Sequence, residues 1–396
     1  MFKKVLIITL VLFGLVFSQT AEKCFADVSS ELEQAKAYVE NKHYEQAEVI
    51  YQTILQDYPD TNDALAAQTG LTVLYITWGK KLEAQAGLAG LVADFSGHQG
   101  IANSLNEIAN IFRYVQRYQK AGELYQYVID GQPPVKDAIW SQACLIGLDV
   151  VLGDDGTAQS ALEQLLSEFS DVEDMPAIFD GLAEDCVKVK KYNEARQLYQ
   201  YILDNRPDCK QAIWAQGGLG ISNAGLGNHA AAQAAIETLL TEFSGHPDLG
   251  ELILAIAEPY YLEGLRKKGE GLDSQAKEYF QKVLAIAEIV KNRVPGYVPA
   301  AETCCWTGVT YQALGEYEKS IECFQKVVDD YPDHSLAWYA LYMVASNYED
   351  LKESGVISKA EANLKIKAVY EQLLEKYPDC EVADIVRRWL NRHNST

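Results

Sequence analysis

The chain has 396 residues, of which 48% are apolar and 10% are aromatic, so it can bury a sizeable core and is not a disordered tail. Its 34 basic and 56 acidic residues give a formal net charge of −22. Such a charge would repel a phosphate backbone, which argues against nucleic acid as a partner. It favours either simple solubility or the attraction of a basic partner.

The N-terminus has the pattern of a secretory signal. Lys3 and Lys4 precede the apolar run VLIITLVLFGLVF, and small residues follow as far as Ala26. We therefore predict a signal peptide over residues 1–26 and an exported protein, periplasmic or extracellular, of the cell envelope. The apolar run would cover roughly 20 Å of a hydrocarbon core of about 30 Å. The alternative is an uncleaved signal anchor, which would be the only membrane contact that we expect.

The rest of the chain is repetitive. The phrase YQYVIDGQPPVKDAIW at 125–140 returns 74 residues later as YQYILDNRPDCKQAIW at 199–214, with nine of sixteen positions identical. A shorter period of 37 residues, half of that interval, runs through more of the chain. Prolines and serines alternate at this step: Pro59, Ser96, Pro133, Ser170, Pro207 and Ser244. A period of about 20 to 50 residues indicates stacked supersecondary units that share one core.

Each unit has the spacing of two helices, because apolar side chains recur at steps of three or four on both sides of a polar turn. In the third unit the two stripes are Leu105, Ile108, Ala109 and Phe112, then Ala121, Leu124, Tyr125 and Val128. The proline phrase ends the second helix. The unit is therefore predicted to be a helical hairpin. The glycines of AQGGLG at 215–220 indicate close helix packing rather than a phosphate loop.

Three units carry a recognisable pattern of small residues, aromatics, an alanine and a late proline. The matching residues are Phe179, Leu182, Ala183, Cys186, Ala195, Tyr199, Ile202 and Pro207; Gly308, Tyr311, Ser320, Phe324, Val327 and Pro332; and Ala35, Tyr38, Ala47, Tyr51, Ile54 and Pro59. In these residues the chain resembles the tetratricopeptide repeat (TPR) family. The resemblance implies an all-α fold: a right-handed α-solenoid of about nine TPR-like hairpins, followed by a C-terminal closing helix.

The 37-residue step is longer than the family's usual step of about 34 residues. The extra residues follow the proline, which is similar to the exported bacterial branch that includes the outer-membrane assembly lipoprotein and the Tol-Pal-associated coordinator. We expect six regular repeats over 27–248 and three irregular repeats over 249–396. The irregular part is lengthened by GLRKKGEGLDS, VKNRVPGYVP and KESGVISKA, and it ends in a capping helix.

No catalytic or nucleotide-binding motif occurs, since P-loop, G-x-G-x-x-G, H-E-x-x-H, G-x-S-x-G and EF-hand spacings are all absent from the sequence. His98, His246 and His334 follow equivalent repeat ends. Stacked helices lie about 8–10 Å apart, too far for these histidines to share a metal. We therefore predict a protein that is not an enzyme and that has no cofactor and no metal.

Seven cysteines follow residue 26: Cys144, Cys186, Cys209, Cys304, Cys305, Cys323 and Cys380. None has the C-x-x-C spacing of redox or zinc sites, and burial in the core explains them most simply. Cys304 or Cys305 with Cys323 is the one pair that we would test for a disulfide, because these residues are expected on adjacent antiparallel helices.

The resemblance also implies a concave groove lined by the first helix of each hairpin. In the third unit, a polar stripe beside Tyr114 consists of Asn103, Asn106, Asn110 and Arg113. Asn and Arg in this pattern could hold a peptide backbone or a carboxylate. The alternative is an ordinary solvated helix face.

Later units supply further groove candidates. In the fifth unit Asp180 and Glu184 form a charged stripe with Lys188, for which the alternative is a simple i, i+4 ion pair. Aromatic and acidic candidates in the seventh and ninth units extend the lining; they are Glu258, Tyr261 and Tyr339.

Trp140 and Trp214 end the repeated phrase and occupy equivalent places near the start of a first helix. Tyr339 matches that place in the ninth unit. Tryptophan is enriched at binding hot spots, which favours a groove-facing position. The alternative is that both rings pack between neighbouring hairpins, where large aromatics are common.

The function that these features favour is an exported TPR scaffold that binds a protein or peptide partner in its concave groove without catalysis. The acidic charge makes a basic partner one candidate. An alternative is an envelope-assembly or cell-wall and glycan-processing accessory factor that presents substrate to an enzyme. A third is passive packing within a larger complex.

Overall fold

The computed structural model describes residues 28–170, 172–294 and 300–393. The predicted signal peptide lies outside these ranges. Every regular element within them is a helix, and α1 covers residues 28–40. The other helices follow in chain order as α2 (Tyr44–Asp57), α3 (Asn62–Trp78), α4 (Lys81–Phe95), α5 (Ile101–Tyr114), α6 (Tyr118–Asp130), α7 (Val135–Leu152), α8 (Asp155–Glu168), α9 (Met175–Lys188), α10 (Tyr192–Asn205), α11 (Ala212–Gly225), α12 (His229–Glu242), α13 (Leu249–Ala255), α14 (Ala257–Gly269), α15 (Asp273–Arg293), α16 (Ala300–Ala313), α17 (Tyr317–Asp330), α18 (Ala337–Glu353), α19 (Lys359–Lys376) and α20 (Ala383–His393).

These helices alternate as the first and second helices of hairpins. Helix α3 packs on α4, α5 on α6, α7 on α8, α11 on α12, α16 on α17 and α18 on α19. Helices α13 and α14 together form the first helix of the seventh hairpin, and α20 packs on α19 at the end. The all-α repeat fold is therefore confirmed, with nine hairpins and a closing helix in the described ranges. None of the described helices is long and apolar enough to span a membrane.

The chain divides after Ile178 into two compact units. In the first unit, α3 contacts α5 and α5 contacts α7. In the second unit, α11 contacts α13 and α14, and α16 contacts α18. These first helices of neighbouring hairpins therefore lie side by side, and we name this arrangement the first-helix layer. The boundary predicted at residue 248, between regular and irregular repeats, stays a prediction.

Residues with a left-handed backbone conformation follow the ends of several first helices. Lys42, Gln116 and Lys190 are 74 residues apart and have φ values of 60°, 59° and 64°. Gly227, the equivalent residue after α11, has a φ value of 75°. The next residue in each turn donates its N–H to a carbonyl five residues back, as Arg117 does to Phe112 at 2.7 Å. This bond satisfies a carbonyl at the helix end and reverses the chain.

The first helix of the seventh hairpin is broken at Ile256, between α13 and α14. Pro259 follows three residues later and has no N–H, so the carbonyl of Ala255 loses its helical donor. The loss of that hydrogen bond, with the ring's steric demand, accounts for the break. Tyr261 therefore lies on the second piece of this helix.

Aromatic rings of second helices pack directly on glycines of first helices. An ideal Cβ on Gly218 would lie 2.2 Å from the Tyr199 ring, and one on Gly70 would lie 2.6 Å from the Tyr51 ring. Phe324 occupies the space beside Gly308 in the same way, at 2.8 Å. These glycines are close-packing sites, as the sequence predicted for the glycine-rich run at 215–220.

This packing predicts that Gly218→Ala destabilises the protein, although alanine is the better helix former. The added methyl group would overlap the buried Tyr199 ring, and overpacking of this kind costs about 1–3 kcal/mol. Gly269→Ala in α14 is the matched control, because nothing lies within 4 Å of its added methyl group. The control should gain up to about 1 kcal/mol. Urea unfolding followed by circular dichroism measures both, and equal midpoints for the two variants would contradict the packing.

Candidate partner-binding surface

The polar stripe of α5 is mostly occupied by contacts within the first unit. Asn106 is 5% exposed; its Nδ2 donates to the carbonyl of Asp137 at 3.3 Å, and its Oδ1 accepts from the Ser141 hydroxyl at 2.7 Å. Asn110 Oδ1 accepts from the Tyr125 hydroxyl at 2.5 Å. These two amides therefore connect α5 to α7 and α6.

Arg113 is also buried, at 9% exposure, and its guanidinium Nη1 lies 3.9 Å from Cys144 Sγ. Asn103 and Tyr114 are exposed, Tyr114 at 67%. A partner could reach Asn103 and Tyr114 directly, whereas Asn106, Asn110 and Arg113 already have polar contacts in the chain. A binding role for this stripe stays a prediction.

The second unit repeats this arrangement 74 residues later with different chemistry. Asp180 on α9 takes the place of Asn106, and Ala215 on α11 takes the place of Ser141. The hydroxyl that would satisfy a side-chain oxygen here is therefore missing. Asp180 Oδ1 is buried and has no hydrogen-bond partner among the described residues. The residue as a whole is only partly buried.

The electrostatics of Asp180 follow from this placement. Burial, with a smaller contribution from the nearby Glu184 carboxylate, raises the pKa of Asp180 to about 7. The same two acids add to the effect of burial in raising the pKa of Tyr199 well above its usual value. Glu184 itself is exposed, one turn along α9. The predicted Asp180 and Glu184 are thus two acids one turn apart on α9. Lys188 Nζ lies 3.1 Å from the neighbouring Asp185 Oδ1.

Three aromatic residues of the second unit gather on α14, α16 and α18. We name Tyr261, Trp306 and Tyr339 the aromatic cluster. The Tyr261 and Trp306 rings meet edge to face with centroids 5.8 Å apart, and all three side chains are partly buried. Burial raises the pKa of Tyr261 and of Tyr339, and the charges of Cys305 and, to a smaller extent, Tyr261 raise the pKa of Tyr339 further. The predicted Tyr261 therefore meets Trp306, whereas the predicted Tyr339 meets the Phe324 ring, with centroids 6.2 Å apart.

Trp306 was not predicted as a site residue. It lies on a first helix five residues before Tyr311, the residue that matched the TPR pattern. The sequence signal that could have identified Trp306 is a large aromatic side chain at a position outside the TPR pattern. The predicted Glu258 is exposed on α14, and it raises the pKa of Tyr192 in addition to the effect of burial.

The two equivalent tryptophans are partly buried. Trp214 meets the His246 ring edge to face, with centroids 5.6 Å apart, and it packs against the apolar core of the second unit. In the first unit, Trp140 has a buried Nε1 without a hydrogen-bond partner among the described residues. Both rings thus combine core contact with some exposure, and neither alternative of the sequence analysis is settled.

Two segments match the sequence profiles of the tetratricopeptide repeat, at residues 30–61 and 301–334. They coincide with the hairpins α1–α2 and α16–α17, two of the three units in which the sequence pattern was strongest. These two hairpins are therefore similar to tetratricopeptide repeats. Within the described ranges, no group of three or more His, Cys, Asp or Glu residues could hold a metal ion.

A comparison with curated proteins gives no match. Among solved structures, a TPR protein from Parabacteroides merdae ATCC 43184 is 16% identical, with 80% of this chain and 98% of that chain covered and a TM-score of 0.41. PilF of Pseudomonas aeruginosa is 18% identical over 57% of this chain and 95% of that chain, with a TM-score of 0.33. These scores are too low to support any conclusion about function.

The unsatisfied Asp180 predicts a pH-dependent cost to stability. Its pKa of about 7 in the folded state exceeds the unfolded value of about 3.9, so folding favours the protonated form. The stabilising effect of that proton is complete below pH 4 and is lost as the pH rises to 7. Asp180→Asn should therefore stabilise the protein at pH 8, by about 1–3 kcal/mol, and change little at pH 4.5.

Thermal unfolding at the two pH values measures this effect. Asp204→Asn is the control, because Asp204 is an exposed acid on α10, the second helix of the same hairpin. It should not change the pH profile. An Asp180→Asn profile parallel to that of the parent protein would show that Asp180 titrates normally.

Proposed function

We propose that this protein is an exported, non-catalytic TPR scaffold whose second unit binds a protein or peptide partner with a basic side chain at Asp180. TPR proteins commonly bind other proteins, and two repeats of this chain match the TPR profiles. The observation that carries the finer proposal is the buried Asp180 oxygen without a hydrogen-bond partner.

A buried acceptor without a donor normally costs stability, and most proteins avoid it. The first unit shows that this fold can satisfy the position, because Asn106 there bonds to Ser141 and to the Asp137 carbonyl. A lysine or arginine of a partner would supply the missing donors to Asp180. Its positive charge would also lower the pKa of Asp180 and keep the carboxylate ionised.

The aromatic cluster provides the apolar part of the proposed contact. Tyr261, Trp306 and Tyr339 are partly buried, so their rings are held in place by packing while part of each surface remains available. Rings of this kind lose little conformational freedom on binding and are enriched at binding hot spots. Trp214 on α11 belongs to the same first-helix layer and is a further contact candidate.

The charge of the whole chain supports the same type of partner. A formal net charge of −22 attracts a basic protein over long distances and speeds its encounter. The exposed Glu184 and Glu258 add negative charge on first helices of the second unit. The predicted signal peptide supports export, and the 37-residue step supports a relationship with the exported bacterial branch.

Partner binding should depend on Asp180 and on pH. A partner captured from the cell-envelope fraction by the immobilised protein would be titrated against variants by calorimetry. At pH 8, Asp180→Asn should weaken binding at least tenfold, equivalent to about 1.4 kcal/mol, because the partner's cation loses its counter-charge. Parent binding should weaken between pH 8 and pH 6, as Asp180 takes up its proton.

Asp204→Asn removes the same charge from the exposed face of α10 and should leave the affinity within twofold of the parent. Trp306→Ala tests the aromatic cluster and should also weaken binding. Equal affinities for Asp180→Asn and Asp204→Asn would show that only the overall charge matters and that Asp180 is not the binding site.

Export is tested separately. The mature chain should begin near Asp27, because a basic segment, an apolar run and small residues precede it in the order that signal peptidase requires. N-terminal sequencing of the protein recovered from the envelope or medium measures this. Retention of Met1 on membrane-bound protein would indicate the uncleaved anchor instead.

A further inference from the structure

The hairpin formed by α16 and α17 holds three thiols: Cys304, Cys305 and Cys323, all free cysteines in this structure. Cys304 and Cys323 line one cavity of about 630 Å³ against α15. Lys291 of α15 and Lys326 of α17 line the same cavity. Two thiols from adjacent helices therefore open into one space.

The register of the hairpin places these two thiols on neighbouring turns of α16 and α17. Ser320 Oγ on α17 donates to the carbonyl of Gly308 on α16 at 2.8 Å, so the two helices are at close contact there. Phe324 packs on Gly308, where a side chain would not fit. In an antiparallel pair, one turn back on α16 meets one turn forward on α17. Those positions are Cys304 and Cys323.

Cys305 points elsewhere. It is 7% exposed and belongs to the apolar core that includes Phe324 and Val327. It does not line the cavity that Cys304 and Cys323 share. The structure therefore separates the two alternatives that the sequence left open, and it favours Cys304 as the neighbour of Cys323.

We propose that Cys304 and Cys323 form a dithiol modification site that closes to an intrachain disulfide when it meets a small disulfide such as oxidised glutathione. Close approach of the two helices at Gly308 suits the short distance that a disulfide requires, a Cα–Cα separation of about 4.4–6.8 Å. The partly buried sulfurs remain accessible through the cavity. This inference does not depend on the proposed partner binding.

The reaction is two successive thiol–disulfide exchanges. The thiolate of one cysteine attacks a sulfur of the reagent, which releases one small thiol and leaves a mixed disulfide. The thiolate of the other cysteine attacks the protein sulfur of that mixed disulfide and releases the second small thiol. Two electrons pass from the cysteines to the reagent, and the protons lost by the two cysteines are taken up by the two released thiolates.

Burial slows the first step. It raises the pKa of Cys304 and raises the pKa of Cys323 to about 11, while Lys326 and Lys291 oppose the effect at both thiols. Asp330 raises the pKa of Cys304, and the Cys304 thiol and Glu322 raise the pKa of Cys323. The exchange is therefore best measured above neutral pH, where more thiolate is present.

The closed disulfide would connect the two helices of one hairpin. Trp306 of the aromatic cluster lies two residues after Cys304, so the bond would fix the helix that carries this ring. A cross-link of this kind restricts the unfolded chain and stabilises the folded hairpin. The oxidised protein should therefore melt at a higher temperature than the reduced protein.

The experiment incubates the purified full chain with oxidised glutathione at pH 8.5 without denaturant, blocks remaining thiols and digests with trypsin. The expected product is a disulfide-linked pair of peptides, 294–319 and 320–326. Its fragmentation spectrum should place the bond at Cys304. The linked pair should disappear in Cys304→Ser and persist in Cys305→Ser, which is the matched control.

Circular dichroism verifies that both variants fold. If one variant does not fold, the fragmentation spectrum of the parent protein decides which cysteine pairs with Cys323. Loss of the linked pair in Cys305→Ser alone, or fragmentation that places the bond at Cys305, would overturn the assignment. So would a parent protein that yields only glutathione adducts on separate thiols. An unchanged melting temperature after oxidation would contradict the proposed stabilisation of the hairpin.

Discussion

The structure depends on one packing interaction: an aromatic ring of a second helix set against a glycine of a first helix. Tyr51 meets Gly70 and Tyr199 meets Gly218 in the following hairpin, and Phe324 meets Gly308 within its own hairpin. The absence of a side chain at each glycine lets the helices approach closely, and the ring fills the space. These contacts hold second helices closely against first helices, both within a hairpin and between consecutive hairpins.

Because the helical hairpins repeat, the side chain at one position can be compared directly with the side chain at the equivalent position of another hairpin. Asn106 and Asp180 occupy equivalent places, and only the first has its hydrogen-bond partners. The replacement of Ser141 by Ala215 removes a donor at the same time. The same backbone can therefore carry an amide with its hydrogen-bond partners in one unit and, in the other, an acid whose Oδ1 has no hydrogen-bond partner among the described residues.

The hairpin of α16 and α17 combines several features of the second unit. It carries Trp306 of the aromatic cluster on one side of α16 and the Cys304 thiol on another. Its helices are held together at Gly308 by Ser320 and Phe324. The disulfide proposed for Cys304 and Cys323 would add a covalent bond about one turn from this existing contact.

The sequence by itself determined the helical hairpins, their number and the close-packing role of the glycines, because hydrophobic spacing and a 37-residue period are local properties that a chain displays without folding. It did not determine which polar residues face a partner. Asn106 and Arg113 look like an exposed stripe in sequence and are buried by α7, while Trp306 and the pairing of Cys304 with Cys323 depend on neighbouring helices. Only the tertiary structure decided these points, since burial and hydrogen bonding are set by residues from other hairpins that no local pattern contains.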